Sequence, residues 1–189
     1  MFKILTAITI FIAEPMYSQS KLVLGQEPSS IVLAAGNGGV LKNDHWNMWS
    51  STEGLKGKVH VVLYVAPSKK SLNQHIVDKL KEKKYPLDKI QTLVIVNTAP
   101  SWWPESILDT KIRSNQKESP RAIYLKDTQH TIAKAWGLEE SSHDIFVFNE
   151  QGKTIFTGYG AFSNHLEEQF FSLLDHHASA KTGGTPPKS

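Results

Sequence analysis

The 189-residue chain contains no cysteine. That absence excludes disulfides, a thiolate nucleophile, cysteine-ligated zinc and iron–sulfur clusters among these residues. Long apolar runs are missing too. The longest, residues 4–13, is far short of the roughly 20 residues that a membrane-spanning helix needs. Charge of one sign is scarce: 21 Lys and Arg face 18 Asp and Glu, a net +3 at pH 7. An excess that small, spread over the chain, is not the concentrated basic face of a nucleic-acid binder. Glycines cluster at Gly36, Gly38 and Gly39 without GxGxxG spacing or a following Walker lysine, which argues against a phosphate loop. No internal repeat is visible.

What is present is the composition of one globular domain, 40% hydrophobic and 21% charged. Lys3, the short apolar run and the small residues Ser18 and Ser20 fit a secretory signal peptide over 1–20, cleaved after Ser18 or Ser20. Its removal takes away Lys3 and Glu14 and leaves the charge unchanged. The expected location is outside the cytoplasm, in the periplasm for a Gram-negative source, which argues against ATP-dependent chemistry.

Residues 21–177 are expected to form the domain and 178–189, poor in apolar residues, a disordered tail. The stretch 34–43 reads as a hairpin or loop, with Trp49 and Leu55 as anchors after it. Strands are expected at Val59–Val65, Ile90–Asn97, Ala122–Asp127, 145–149 and 154–157, the last two a hairpin around Glu150-Gln151-Gly152. A helix capped by Ser71 should run to Lys84, with Leu72, Ile76 and Leu80 toward the core and Lys79, Lys81, Lys83 and Lys84 toward water. Further helices are expected at 106–114, from a cap at Thr128 through Trp136, and at 164–177 with Leu166, Phe170, Leu173 and Leu174 on one face. This order, βαβ followed by ββα on a shared sheet, predicts an α/β thioredoxin-like fold: a central mixed sheet flanked by helices, with an N-terminal β-hairpin extension.

Local patterns point the same way. Gly25-Gln26-Glu27-Pro28, Gly39-Val40-Leu41 and Gly57-Lys58-Val59 resemble the lead-in of peroxiredoxin and TlpA-type proteins. In that comparison Lys69 and Leu72 stand where two active-site cysteines would be, and His143 takes the place of the proline that usually opens a later strand. Gly25-Gln26, Trp49, Gln91-Thr92, Ile95-Val96-Asn97-Thr98, Ser114-Asn115 and Ala135-Trp136-Gly137-Leu138 resemble, in order and spacing, the YtfJ family of exported thioredoxin-like proteins. The resemblance implies a fold and a compartment, and supplies no catalytic residues.

Ser71, His75 and Asp78, at i, i+4 and i+7 of one helix, are the weak catalytic candidates: a hydroxyl–imidazole–carboxylate ladder activates a nucleophile. The same spacing also describes an ordinary solvated face. Eight histidines include His176-His177 beside Asp175 and the pair His165 and Glu168, but neither set has a third convergent ligand, so no metal site and no cofactor are expected. Adjacent Trp102 and Trp103 cannot both enter one core; either they anchor their loop or they form a contact surface. Lys69, Lys70, Trp102, Trp103 and His143 are the binding-surface candidates. The basic set from Lys69 to Lys84 is a solvated face or a docking site for an anionic partner or membrane surface. The expected function is a non-redox binding or accessory module for another envelope protein, without nucleic acid and without a membrane span in its mature form. The alternatives are a non-thiol enzyme or a chaperone-like envelope protein.

Overall fold

Every residue of Val59–Val65 (β5) is buried, the signature of a strand covered on both faces. The structure, a computed structural model, describes residues 20–34 and 36–179. The expected signal peptide therefore lies outside the described residues apart from Ser20, as does the tail from residue 180. Around β5 the sheet adds Ile90–Asn97 (β6), Ala122–Asp127 (β7), His143–Phe148 (β8) and Thr154–Gly158 (β9). It is completed by Gly38–Lys42 (β2) and His45–Asn47 (β3), in the order β3-β2-β7-β6-β5-β8-β9. Strands β5, β6 and β7 run parallel; β2, β8 and β9 pair antiparallel with their neighbours. Val32–Leu33 (β1) and Trp49–Ser50 (β4) form a separate antiparallel pair, followed by the single turn Ser51–Gly54 (α1). The fold is thus thioredoxin-like, a mixed sheet flanked by helices with an N-terminal strand pair.

Alternation along the strands divides the core. Val62, Tyr64, Leu93, Ile95, Leu125, Phe146 and Phe148 face Thr131–Trp136 (α4) and the N-terminal segment, with Leu22, Leu33, Trp49 and Leu55. The opposite face carries Val61, Leu63, Val65, Ile145 and Val147. It is covered by Gln74–Lys83 (α2) through Ile76 and by Asn164–Ser179 (α5) through Phe170, Phe171 and Leu174. Glu105–Glu118 (α3) lies on that same face over Leu41 and Tyr124 through Ile112.

Of the hairpin or loop expected over 34–43, the structure shows the hairpin, with Gly38 and Gly39 in its strand β2. At φ +127° a Cβ on Gly38 would lie 1.8 Å from the Lys126 carbonyl oxygen, so only glycine lets β2 lie against β7 here. The second helix starts at Gln74, not Ser71: Asn73 is the cap residue, and Leu72 is left 38% exposed instead of in the core. The third helix extends well beyond 106–114. Leu108 and Ile112 bury one face of it, while Glu105 and Asp109 both accept from the buried Lys126 Nζ, at 2.7 and 2.8 Å. Finally, Thr128 does not cap α4. The Asp127 carboxylate accepts from the N–H groups of Gln129, Thr131 and Ile132, satisfying the helix start from the end of a strand. The last helix runs past His177 to Ser179.

One core residue makes stability pH-dependent. His60 is 5% exposed and its Nδ1 has no partner. Burial lowers the imidazole from the ordinary value of 6.5 to about 4. A folded-state value below the unfolded one means that the unfolded chain takes up the proton first. Stability from this group is complete above pH 6.5 and is lost as pH falls toward 4, by about 3 kcal/mol. Urea unfolding of the wild type and His60→Gln across pH 4–7 checks this. The difference between the two curves should carry a slope of about one proton in that window and be flat above it.

Candidate functional site

Parallel strands place their carboxyl ends together, so the segments after β5, β6 and β7 share one end of the sheet. Antiparallel pairing brings the start of β8 and the end of β9 to the same place. From β5 the chain moves outward through β6 and β7, then returns to β8 on the other side of β5. That junction is a topological switch point, where open α/β sheets leave a crevice. Ser68 to Asn73 on one side and Glu139 to His143 on the other are therefore the natural site.

In this chain the crevice is laced shut. The Ala66 N–H donates to the Ser142 carbonyl at 2.8 Å, and the Ser68 and Ser141 hydroxyls lie 3.3 Å apart. The strongest tie is Asn73, fully buried. Its amide donates to the carbonyls of His143 (3.1 Å) and Gly160 (2.8 Å), and its Oδ1 accepts from the Phe162 N–H at 3.0 Å. Although it stands at the start of α2, its side chain makes no cap there. It joins three loops of the site end instead.

Flanking the tie are buried titratable groups. His143 is 1% exposed, and its Nδ1 lies 3.3 Å from the Lys69 carbonyl oxygen. A carbonyl only accepts, so Nδ1 carries the proton and Nε2 presents a buried lone pair with no partner. Burial lowers the basicity of this ring. On the other face Tyr64 is fully buried with an unpartnered hydroxyl; burial and then the Asp127 and Asp144 carboxylates push its ionisation upward. Burial likewise raises Asp144, opposed by hydrogen bonds from the Ser142 hydroxyl and the Gly160 N–H. The Asn97 amide donates to the Glu140 carbonyl at 2.8 Å and sits 3.3 Å from His130 Nδ1. Apart from Tyr64, these groups hold the loops together; none is an exposed nucleophile.

The sequence candidates separate. Ser71 lies in the turn before α2, so the expected ladder is not on one helical face. Asp78 accepts from Gln74 at 2.8 Å, and His75 Nε2 is 3.6 Å from Glu167 on α5. Lys69 and Lys70 are exposed at the site end. His143 reaches that end but is buried, and so contributes lacing rather than surface. Trp102 and Trp103 follow β6 and are 86% and 41% exposed, with ring centroids 5.3 Å apart. They do not pack under their loop. Lys79 and Lys83 are spent on ion pairs to Glu167 and Asp175 of α5. Among the described residues no group of three His, Asp or Glu side chains is placed to hold a metal ion, and no helix is long and apolar enough to cross a membrane. Asn73, Asp127 and Asp144 were not singled out from sequence. A polar residue closing an apolar strand just before a helix was the available signal for Asp127.

Known proteins agree with this picture of the fold. The pneumococcal exposed lipoprotein thioredoxin Etrx1 of Streptococcus pneumoniae superposes with a TM-score of 0.53 at 14% identity, over 74% of this chain and 98% of that one. A peroxiredoxin-like protein of Aquifex aeolicus gives 0.54 at 12% identity, over 82% and 90%. In sequence, the uncharacterized protein YtfJ of Escherichia coli K12 is 30% identical over 174 residues, 89% of this chain and 94% of that protein. Residues 22–177 match the family described as bacterial protein of unknown function (YtfJ_HI0045). The chain, a cysteine-free thioredoxin fold with its switch-point crevice tied by Asn73, belongs to the YtfJ family.

Proposed function

We propose that this chain is an exported, periplasmic protein without redox activity, a binding or accessory module that docks another envelope protein. The observation carrying this reading is Trp102, 86% exposed at the sheet end where the fold's crevice lies. An indole left in water beside a second indole is surface that a partner's desolvation would reward. Lys69 and Lys70 at the same end favour an acidic partner and make association salt-dependent. With the crevice closed and no thiol present, contact is the function this end can serve.

The test places a photo-crosslinking amino acid at the exposed position 100, beside an intact Trp102, in cells. One dominant adduct in the periplasmic fraction is expected; a broad smear of unfolded clients would mean a chaperone, and cytoplasmic fractionation would overturn the export. Trp102→Ala should leave unfolding free energy within about 0.5 kcal/mol and weaken partner binding at least fivefold. Purified protein should not accelerate disulfide reduction in an insulin assay; acceleration above buffer would refute the non-redox reading.

A further inference from the structure

Strand β6 lies fourth of seven in the sheet, yet only one of its faces is sealed. Leu93 and Ile95, toward α4, are 1% and 0% exposed, whereas Thr92, Val94 and Val96 on the other face are half-buried. A central strand between parallel neighbours is ordinarily covered on both sides. The gap has a cause in the helix layer. Helix α2 packs with α5 through Ile76, Phe170 and Phe171, with the pairs Lys79–Glu167 and Lys83–Asp175 between the two helices, while α3 lies over β7 and β2 through Ile112. Between them opens a cavity of about 250 Å³. Leu63, Val94 and Tyr124 form its floor, and Val77 and Leu80 of α2 one wall.

Its mouth is cationic. Lys81 and Lys84 are exposed there, and among the described residues no carboxylate pairs with either. Arg121 is fixed at the rim by its Nη2 donating to the Tyr85 carbonyl at 2.6 Å. Glu118, the acidic residue of the lining, accepts from the Ser114 hydroxyl at 3.2 Å.

We propose that this groove binds a single-chain anionic amphiphile, a straight-chain carboxylate with its acyl chain over Val94 and its head group among Lys81, Lys84 and Arg121. The volume suits one alkyl chain and is too small for a peptide helix. The segment after α5, residues 180–189, carries two lysines and no large apolar side chain, so it matches neither the floor nor the charge of the mouth. The site is separate from the Trp102 surface, and its test does not depend on that reading.

The experiment titrates the purified chain with sodium decanoate at submicellar concentration, by calorimetry and by methyl NMR. Expected are one-to-one binding, shifts confined to the methyls of Leu63, Val77, Leu80 and Val94, and about fourfold weaker binding for each methylene removed in nonanoate and octanoate. Decyltrimethylammonium should bind at least tenfold more weakly. The surface double variant K81Q/K84Q should weaken decanoate binding about threefold to tenfold. Val94→Trp, which fills the floor, should abolish binding where its NMR spectrum stays folded. No binding at millimolar decanoate, shifts scattered over the surface, or equal binding of the cationic amphiphile would overturn the proposal. If Val94→Trp does not fold, head-group selectivity and K81Q/K84Q decide the matter.

Discussion

Asn73→Ala is expected to destabilise the protein by about 3–4 kcal/mol, among the largest effects of any single polar residue here. The side chain is fully buried and satisfies three main-chain groups: the carbonyls of His143 and Gly160 and the N–H of Phe162. Alanine leaves these without partners, at about 1–3 kcal/mol for a buried group, with partial relief at Gly160, where water can approach. Urea unfolding at pH 7 measures it; a loss below 1 kcal/mol would show that the three loops do not depend on this tie. Asn73→Asp separates donors from shape. It keeps the acceptor for Phe162 but turns a carboxylate toward two carbonyls, so its own pKa must rise. A group raised in the folded state stabilises at low pH and loses that contribution as pH increases. The aspartate variant should therefore recover stability on acidification relative to Asn73→Ala, which should not.

Trp136→Ala should cost about 4 kcal/mol, within the usual range for removing a large buried aromatic. The indole is fully buried, edge-on to Phe146 at 6.3 Å and tilted on Phe148 at 5.7 Å. Its Nε1 donates to the Ser29 carbonyl at 3.0 Å, so alanine creates a cavity and loses that hydrogen bond. Trp136→Phe keeps the ring contacts and loses the N–H; about 1–2 kcal/mol is expected for it. Denaturant unfolding of both variants beside Trp102→Ala tests the contrast. Two tryptophans of equal size should differ several-fold in their effect, because one faces Phe146 and the other faces water.

The parallel strands were legible in the sequence to the residue, since β5 and β6 are apolar runs bounded by Pro67, Pro86 and polar ends. Patterning names what a segment buries: β5 buries every residue, and β6 buries all of the face turned toward α4. Helix starts were less legible because Ser71 and Asn73 are both good cap residues. The choice between them is made by Gly160 and Phe162, nearly 90 residues away. The same holds for Asp127, whose cap replaces Thr128 only once β7 has set its position. Gly38 and Gly39 left hairpin and loop open because glycine disfavours strands; what holds them in β2 is the close approach of neighbouring strands, which no local pattern carries. For the site, Lys69, Lys70, Trp102 and Trp103 were recoverable as exposed side chains. The burial of His143 was not, since it depends on β8 pairing with β5 beneath the turn that brings the Lys69 carbonyl to the ring's Nδ1.

The segment from Ser20 to Gln26 also carries a consequence in time. Lys21 donates to the Trp136 carbonyl, Gly25 to that of Thr154, and Thr154 in turn to that of Gln26. Ser20 meets Tyr159 across 139 residues of sequence. On a growing chain none of these partners exists until most of the polypeptide has been made. Closing loops of that length is a slow, late step. Of the described residues, those synthesised earliest are thus among the last to settle, and until Thr154 arrives the β9 edge they cover has yet to form.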